Sequence, residues 1–567
     1  MSASDAVAGQ NLVSRILDAL DGALEDATFS FQDARGHVEV LTSGQMADRI
    51  AGFARGLGAL GIAPGTVTPI VAGSSARLWA AFVGAMAADL VPCLMATPTF
   101  KTHMETYVKN LTTLLTRYKS GTLLVDQEYA PRIEPLLSGS DPATIHTLEA
   151  FDRPIRQRPV PGPGGDRIAF LQHSSGSTGT PKGVVIDHRM ITTHLDAYAR
   201  AIGLTGRDRI CSWLPLYHDM GLITSFLLPL ARGVSCFTIP PQVWILDPLS
   251  ILDVITRERS TFTWWPNFTY ALLASRARPA DLDRLDLRSM RMFVNCAEPV
   301  LAPTHDLFLS TFERCGVDRS MLRTCYAMAE TVYAISQSTA PEPRRIDVTR
   351  ESLELGRAVQ RCSPDAPTRQ TVLSSGALLD EVRLKVVNEA RFEVDDGTVG
   401  EIALTSPFLF NGYHLLPEAS SDVLADRWYY TGDIGFIEGG ELFVLGRSAD
   451  LINVGGRKFY AGDVERIVAT VDGVKEGRAV AFGCASDEKG TAEVVVLVES
   501  AHHDVPATVQ TLNKEIKLRV LARLDCAVDH VGVLAPRTLI KTSSGKIARS
   551  ANRRAFLERW ARQRRSP

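Results

Sequence analysis

One stretch constrains this chain more than any other: Ser174-Ser175-Gly176-Ser177-Thr178-Gly179-Thr180-Pro181-Lys182-Gly183. Ala169-Phe170-Leu171-Gln172-His173 precedes it and Val184-Val185-Ile186 follows, so two apolar, strand-like runs enclose a loop of glycines, small hydroxyls and one lysine. That pattern predicts a hairpin that closes over an anion. Glycines let backbone N–H groups approach phosphate oxygens, the hydroxyls add donors, and Lys182 adds a point charge. A kinase-type P-loop needs Gly-x4-Gly-Lys-Ser/Thr, and four residues beyond Gly176 or Gly179 lie Pro181 and Val184, so the loop is of another kind. An ordinary surface loop rich in Ser, Thr and Gly would not need an apolar run on each side.

At 567 residues the chain exceeds what one hydrophobic core serves, and a large part with at least one smaller domain is expected. A net charge of −3 gives no basic balance that would suggest nucleic acid. The nine cysteines (93, 211, 236, 296, 315, 325, 362, 484, 526) stand singly, without CxxC or a His cluster, which supports neither zinc nor a disulfide framework. A reducing cytoplasm is the expected compartment. Residues 1–24 lack the basic start and apolar core of a signal peptide. The most apolar window, 78–96, is interrupted by Asp89 and Pro92 and reads as a buried helix turning into a strand.

From residue 40 onward helix and strand patterns alternate: a helix begins at Ser43 and runs through Leu57 and Leu60, Gly65 ends it, and strands are expected over 67–72 and 122–125. Such alternation predicts parallel sheets covered by helices, with ligands at the carboxyl ends of strands. Several later segments carry chemistry. Cys211 to Leu222 contains the pair His218-Asp219 behind Trp213-Leu214-Pro215-Leu216-Tyr217, and Thr261 to Tyr270 is dense in aromatic residues that suit either a core or a pocket wall. Met292 to Val300 reads as a buried strand running into the turn Ala297-Glu298-Pro299. In Thr324-Cys325-Tyr326-Ala327-Met328-Ala329-Glu330-Thr331, Tyr326 offers a flat face for a base and Glu330 a hard oxygen for Mg2+. Trp428 to Gly435 holds Asp433, Leu442 to Arg447 ends on an arginine after a strand, and Ile540 to Arg549 contains Gly545-Lys546.

In this order, from about residue 40 to 555, these segments resemble the adenylate-forming superfamily of AMP-dependent synthetases and ligases, and within it the fatty acyl-AMP ligases and acyl-CoA synthetases. The resemblance implies an α/β fold: a large N-terminal domain of helix-covered sheets, residues 1–448, that binds ATP and the acyl group, and a small, mobile α+β C-terminal domain, 449–567. It also implies an enzyme that converts a bulky or fatty carboxylic acid to its acyl-AMP with release of pyrophosphate, then transfers the acyl group to a thiol. The phosphopantetheine of a carrier protein is the favoured acceptor and CoA the alternative. Ser174, Ser175, Gly176, Ser177, Thr178, Gly179 and Lys182 would hold the ATP phosphates, with Mg2+ on Glu330 and Thr178. Ala297, Glu298, Pro299 and Tyr326 would frame adenine, Asp433 and Arg447 the ribose and phosphate, and His218 would gate or contact the carboxylate. Trp264, Trp265, Asn267 and Met328 would line the acyl pocket, and Lys546 would be the catalytic lysine between carboxylate and α-phosphate.

Residues 331–375 resemble an insertion of the fatty acyl-AMP ligases that hinders the domain swing needed for CoA attack, which favours a carrier protein or a separate transfer partner. The chain departs from the family at Cys296, where glycine is common, at Ile540, where proline is common, and at Ala449, where the hinge residue is usually Asp or Lys. Amino acids are not expected as substrates, because Trp213 to Tyr217 holds no Asp for the amino group. The rival from another class is a nucleotide-binding regulator without turnover; Lys546, Glu330, Asp433 and Arg447 together argue against it. The arginines after residue 548 form a basic end, read as a solvated helix face or a contact for an acidic carrier protein.

Overall fold

The computed structural model describes residues 11–99, 104–137, 143–162, 164–174, 182–339, 341–454, 457–486, 491–524, 526–541 and 547–565. Two large sheets organise the first part of the chain. One has six strands in the order Thr144–Thr147, Thr122–Val125, Val67–Val71, Val91–Leu94, Ile168–Ser174, Lys182–Asp187, parallel throughout except for the last pair. That last pair is the expected hairpin, with Ser174 opposite Lys182 and His173 opposite Gly183. The loop it carries, 175–181, lies outside the described residues.

The second sheet has nine strands. Thr28–Gln32, Ser235–Thr238, Arg209–Ser212, Phe262–Pro266, Met292–Cys296 and Leu322–Ala327 form its parallel centre, and antiparallel strands close both edges. Parallel strands need crossover helices, which cover both faces and leave the strands apolar on both sides. The helix Ala76–Ala87 shows the consequence, since every residue in it but Arg77 is buried. Its Trp79 stacks on Phe226 with ring centroids 4.7 Å apart and takes Phe29 and Phe31 on its edges. The apolar window at 78–96 is thus core helix followed by the strand Val91–Leu94, as expected, and no helix among the described residues is long and apolar enough to cross a membrane.

A third, antiparallel sheet follows, built from Arg383–Val387, Gly400–Thr405, Leu424–Ala425, Trp428–Glu438 and Glu441–Arg447. Residues 345–373 of the segment read as an insertion pack against it. Arg345–Thr349 pairs with Arg369–Leu373, and Ile346, Val348, Leu353 and Val372 share one apolar cluster with Ile434, Phe436 and Phe443. The chain ends in an α+β unit in which Ala479–Ser486, Thr491–Glu499 and His530–Leu534 form a sheet covered by the helices Ala461–Val468 and Pro506–Leu524. We propose the domain division at 448/449, because the cluster joining Ile452, Val464, Val496 and Ile516 draws on no residue before it.

Candidate active site

The parallel centre of the nine-stranded sheet places its site residues as such sheets do, just past the carboxyl ends of neighbouring strands. Trp213 to His218 follow Arg209–Ser212, Phe268 follows Phe262–Pro266, Ala297-Glu298-Pro299 follow Met292–Cys296, and Tyr326 is the penultimate residue of the strand Leu322–Ala327. Trp213, Tyr217, His218, Phe268, Ala297-Glu298-Pro299 and Tyr326 line one cleft of about 2550 Å3, whose far wall comes from the C-terminal part through residues such as Arg478, Lys541 and Arg554. Ala297 adopts a left-handed φ of +69°, which turns the chain sharply at the strand end. Glu298 Oε2 accepts the Phe268 N–H at 3.1 Å, so the Ala-Glu-Pro turn is tied to the first turn of the helix Asn267–Arg276.

The third sheet adds Asp433 and Arg447, which face each other across the hairpin Trp428–Glu438/Glu441–Arg447. Arg447 Nε donates to Asp433 Oδ1 at 3.0 Å and the Tyr326 hydroxyl donates to Asp433 Oδ2. Burial pushes the Asp433 carboxyl up, and the Arg447 charge acts against that shift; the Asp433 carboxylate in turn raises Arg447. Each carboxylate oxygen has one protein donor and a further lone pair, which leaves Asp433 able to accept two vicinal hydroxyls.

Glu330 sits in a one-turn 3-10 segment, Ala329–Thr331, held by an unusual turn: Tyr333 N–H donates to Thr331 O at 2.7 Å, and Val332 is forced to φ +67°. It does not open directly on the cleft. At 8% exposure its carboxyl lies behind Tyr413, whose hydroxyl donates to Oε1 at 2.8 Å, and burial raises it while that hydrogen bond pulls it back. Lys182 lies 4.7 Å from the centroid of the same Tyr413 ring. Among the described residues no group of His, Cys, Asp and Glu forms a dedicated metal cage. A cation carried on a nucleotide's own phosphates does not need one, since Mg2+ keeps several waters and takes one or two carboxylates.

The expected pocket wall is corrected by the structure. Trp264 and Trp265 are 0% exposed: the first donates its indole N–H to Tyr198 at 2.7 Å, and the second packs on Tyr270, Phe293 and Phe308. They belong to a central strand with helices on both sides, so neither face of it meets the cleft. Asn267 is buried as well, its Oδ1 accepting from Asn295 Nδ2 at 3.0 Å, and Met328 lies in the core cluster. The wall is built instead by Trp213, Trp244, Ile245, Phe268 and Leu272, with Trp213 and Trp244 stacked 3.5 Å apart and 5° from parallel. Of these, Trp213 and Phe268 stood inside segments marked from sequence as part of the site, whereas Trp244, Ile245 and Leu272 did not. His218 does line the cleft, with Nδ1 3.7 Å from Asp219 Oδ1. Ser174 ends its strand beside the loop, whereas Ser175, Gly176, Ser177, Thr178, Gly179 and Lys546 lie outside the described residues.

The sequence profile of the family described as AMP-binding enzyme matches residues 24–414. A putative ligase of Mycobacterium tuberculosis is 30% identical over 548 residues, which cover 95% of this chain and 99% of the relative. A medium-chain-fatty-acid–acyl-carrier-protein ligase of Teredinibacter turnerae is 31% identical over 465 residues, 77% of this chain and 70% of its own. Among solved structures, one from a study of fatty acyl-adenylate ligases of E. coli and L. pneumophila superposes with a TM-score of 0.89 at 27% identity, covering 98% of both chains. Matched over most of its length by one family and superposable end to end, the chain belongs to the AMP-binding enzyme family and has the fold of the adenylate-forming ligases.

Proposed function

We propose that this ligase uses ATP to convert a bulky or fatty carboxylic acid to its acyl-adenylate, releasing pyrophosphate, and then passes the acyl group to the phosphopantetheine thiol of a carrier protein. One observation carries the reading. The Tyr326–Asp433–Arg447 set and the aromatic limb of Trp213, Trp244 and Phe268 line the same cleft. The first suits a nucleoside and the second an apolar chain.

In this reading Asp433 accepts the ribose hydroxyls, the Ala297–Pro299 turn and Tyr326 frame the base, and His218 contacts the carboxylate. Lys182, with the loop from Ser174 to Gly179, holds the β- and γ-phosphates. Glu330, with Thr178, would hold Mg2+, which supplies neutralisation of phosphate charge. A carboxylate oxygen of the acid attacks the α-phosphorus, the bond to the bridging oxygen breaks, and pyrophosphate carries away the electron pair. No side chain becomes covalent; alignment and charge neutralisation supply the rate. Lys546 supplies the charge at the α-phosphate.

Two observations support a carrier protein over CoA. The T. turnerae relative is by its description a ligase to acyl carrier protein. Within this chain, the Arg350 guanidinium of the insertion donates to the Arg523 carbonyl in the last turn of Pro506–Leu524, tying the insertion to the C-terminal unit whose swing CoA attack requires. All nine cysteines are free thiols, which suits a cytoplasmic enzyme.

The test is ATP–pyrophosphate exchange across acids of graded size. Lys546→Ala should lower exchange by ~100-fold or more, the scale of losing one preorganised charge; near-normal exchange in that variant sinks the assignment. With acid, ATP and CoA, acyl-AMP should stall until a phosphopantetheinylated carrier protein is added. Rapid acyl-CoA accumulation would instead favour a CoA ligase.

A further inference from the structure

Lys182 begins a strand of the six-stranded sheet and Glu330 lies in the turn between two strands of the nine-stranded sheet, yet one side chain touches both. The Tyr413 hydroxyl donates to Glu330 Oε1 at 2.8 Å, and the Lys182 ammonium lies 4.7 Å from the centroid of the Tyr413 ring. The backbone around Tyr413 makes the same two connections. His414 N–H donates to Gly183 O at 2.7 Å and Val185 N–H to Gly412 O at 3.3 Å, with Val184 and Tyr413 bridged antiparallel, so residues 412–414 run beside the strand Lys182–Asp187. At the other end Phe410 N–H donates to Glu330 O at 2.8 Å. Ser420 Oγ accepts the Tyr413 N–H at 2.8 Å and fixes the residue's own backbone. Residues 410–414 are thus a strap from the phosphate hairpin to the Glu330 turn.

The chemistry of the strap residue matters. A phenol can orient a carboxylate by donating one hydrogen bond without adding charge, so the carboxylate keeps its full negative charge and its second oxygen. An ammonium or guanidinium in that place would neutralise it. On its other side, the ring face attracts the Lys182 ammonium electrostatically. Among the described residues Lys182 has no carboxylate partner, although Glu330 lies on the far end of the very ring it rests on. Without the ring the two opposite charges could pair, and each would then be occupied by the other.

We propose that Tyr413 is a positioning residue for adenylation, whose hydroxyl aims Glu330 and whose ring parks Lys182, holding apart the carboxylate meant for the metal and the ammonium meant for the departing pyrophosphate. This rests on the roles given to Glu330 and Lys182 above. The two functions of the residue are separable, because Tyr413→Phe removes one oxygen and keeps the ring, while Tyr413→Leu removes both.

The experiment uses the full chain and two binding measurements that need no turnover. Mn2+, a paramagnetic stand-in for magnesium, is titrated in the presence of ATP and read by electron paramagnetic resonance; ATP is titrated by calorimetry in EDTA. Tyr413→Phe should weaken Mn2+ uptake about tenfold, the scale of one hydrogen bond to a charged group, and leave metal-free ATP binding within about twofold. Tyr413→Leu should weaken both. Wild-type Mn2+ binding in Tyr413→Phe overturns the proposal, and so does equal loss of metal-dependent and metal-free binding in that variant. Glu330→Gln separates the failures: if it too binds Mn2+ with ATP as the wild type does, the role of Glu330 falls and takes that of Tyr413 with it, whereas a loss confined to Glu330→Gln overturns Tyr413 alone.

Discussion

Single residues in this fold are set by what surrounds them more than by what they are. His305 is 1% exposed, and its Nε2 accepts from Asn295 Nδ2 at 3.0 Å, which requires the neutral ring. Burial, helped by the Arg345 charge, brings it down to about 3. The unfolded chain therefore binds this proton first as pH falls. The stability contributed by the neutral ring is complete above the ordinary histidine value of about 6.5 and is lost progressively toward pH 3, at about 1.4 kcal/mol per pH unit. Urea unfolding from pH 6 to 4 should show that slope reduced by about one proton in His305→Gln, whatever the variant costs at neutrality; an unchanged slope would mean that the ring is already protonated in the folded protein. The same dependence on surroundings explains what the sequence could and could not reveal. Tyr326, Asp433 and Arg447 were legible because each sits in a short motif with its own chemistry. Trp264 and Trp265 misled because an aromatic run looks alike on a central strand and on a pocket wall, and the wall belongs to Trp244 and Phe268, which only the strand ends bring together. Tyr413 had no local pattern at all, since Glu330 lies 83 residues earlier in the chain and Lys182 earlier still.

Elements were more legible than side chains, since hydrophobic periodicity is a local property. The strands Thr122–Val125 and Val67–Val71 lie where the pattern placed them, the helix begins at Ser43 as expected but ends at Gly58, short of Leu60 and Gly65, and a strand–loop–strand reading of 169–186 produced the right hairpin. What periodicity does not carry is how separate sheets are joined. Gly376 makes such a joint. It adopts φ +92°, and a Cβ there would stand 2.0 Å from the Gln337 carbonyl carbon and 2.1 Å from the Ser338 nitrogen, where the strand Ala377–Leu378 closes on Ala334–Gln337. On its other side the Gly376 carbonyl accepts Leu442 N–H at 3.0 Å, and Ser375 N–H donates to Leu442 O at 2.7 Å, linking the nine-stranded sheet to the one bearing Asp433 and Arg447. Gly376→Ala should destabilise the fold by on the order of 3 kcal/mol, from backbone strain and overpacking together. Gly44→Ala is the control: it lies in the first turn of Ser43–Gly58, where an added Cβ meets nothing within 4 Å, and thermal unfolding should stay within about 1 kcal/mol of the parent. Equal shifts in the two variants would deny the close approach any special cost.

For the whole molecule the question is how the C-terminal unit is held against the rest. The sequence places Ala449 at the hinge, where Asp or Lys is usual, with Asp450 next to it. Asp450 in fact pairs with Arg549, which also pairs with Glu465 at 3.0 Å and donates to the Ala481 carbonyl at 3.0 Å, so Asp450 is fastened to the C-terminal unit. On the other side, Tyr460 packs against the cluster of Ile346, Val348, Leu353 and Phe443, and Arg350 reaches the Arg523 carbonyl. An arginine at the last turn of Pro506–Leu524 meets the negative end of a helix dipole, which favours the contact beyond the single hydrogen bond. Among the described residues the insertion thus grips the C-terminal unit through Arg350 and through an apolar seam, and the Arg350 contact can be removed without opening a core. If that grip restrains the swing needed for CoA attack, Arg350→Ala should leave acid-dependent pyrophosphate exchange within about twofold and raise acyl-CoA formation severalfold, in keeping with the ~1 kcal/mol or more that one such contact contributes. The ratio of acyl-CoA to acyl-AMP, measured by chromatography after equal numbers of ATP turnovers, reads the effect directly. A ratio that does not move would place the restraint elsewhere in the insertion, with Leu353 and the apolar seam against Tyr460 next to be loosened. A fall in exchange equal to the change in transfer would show that Arg350 serves the closed, adenylating arrangement itself.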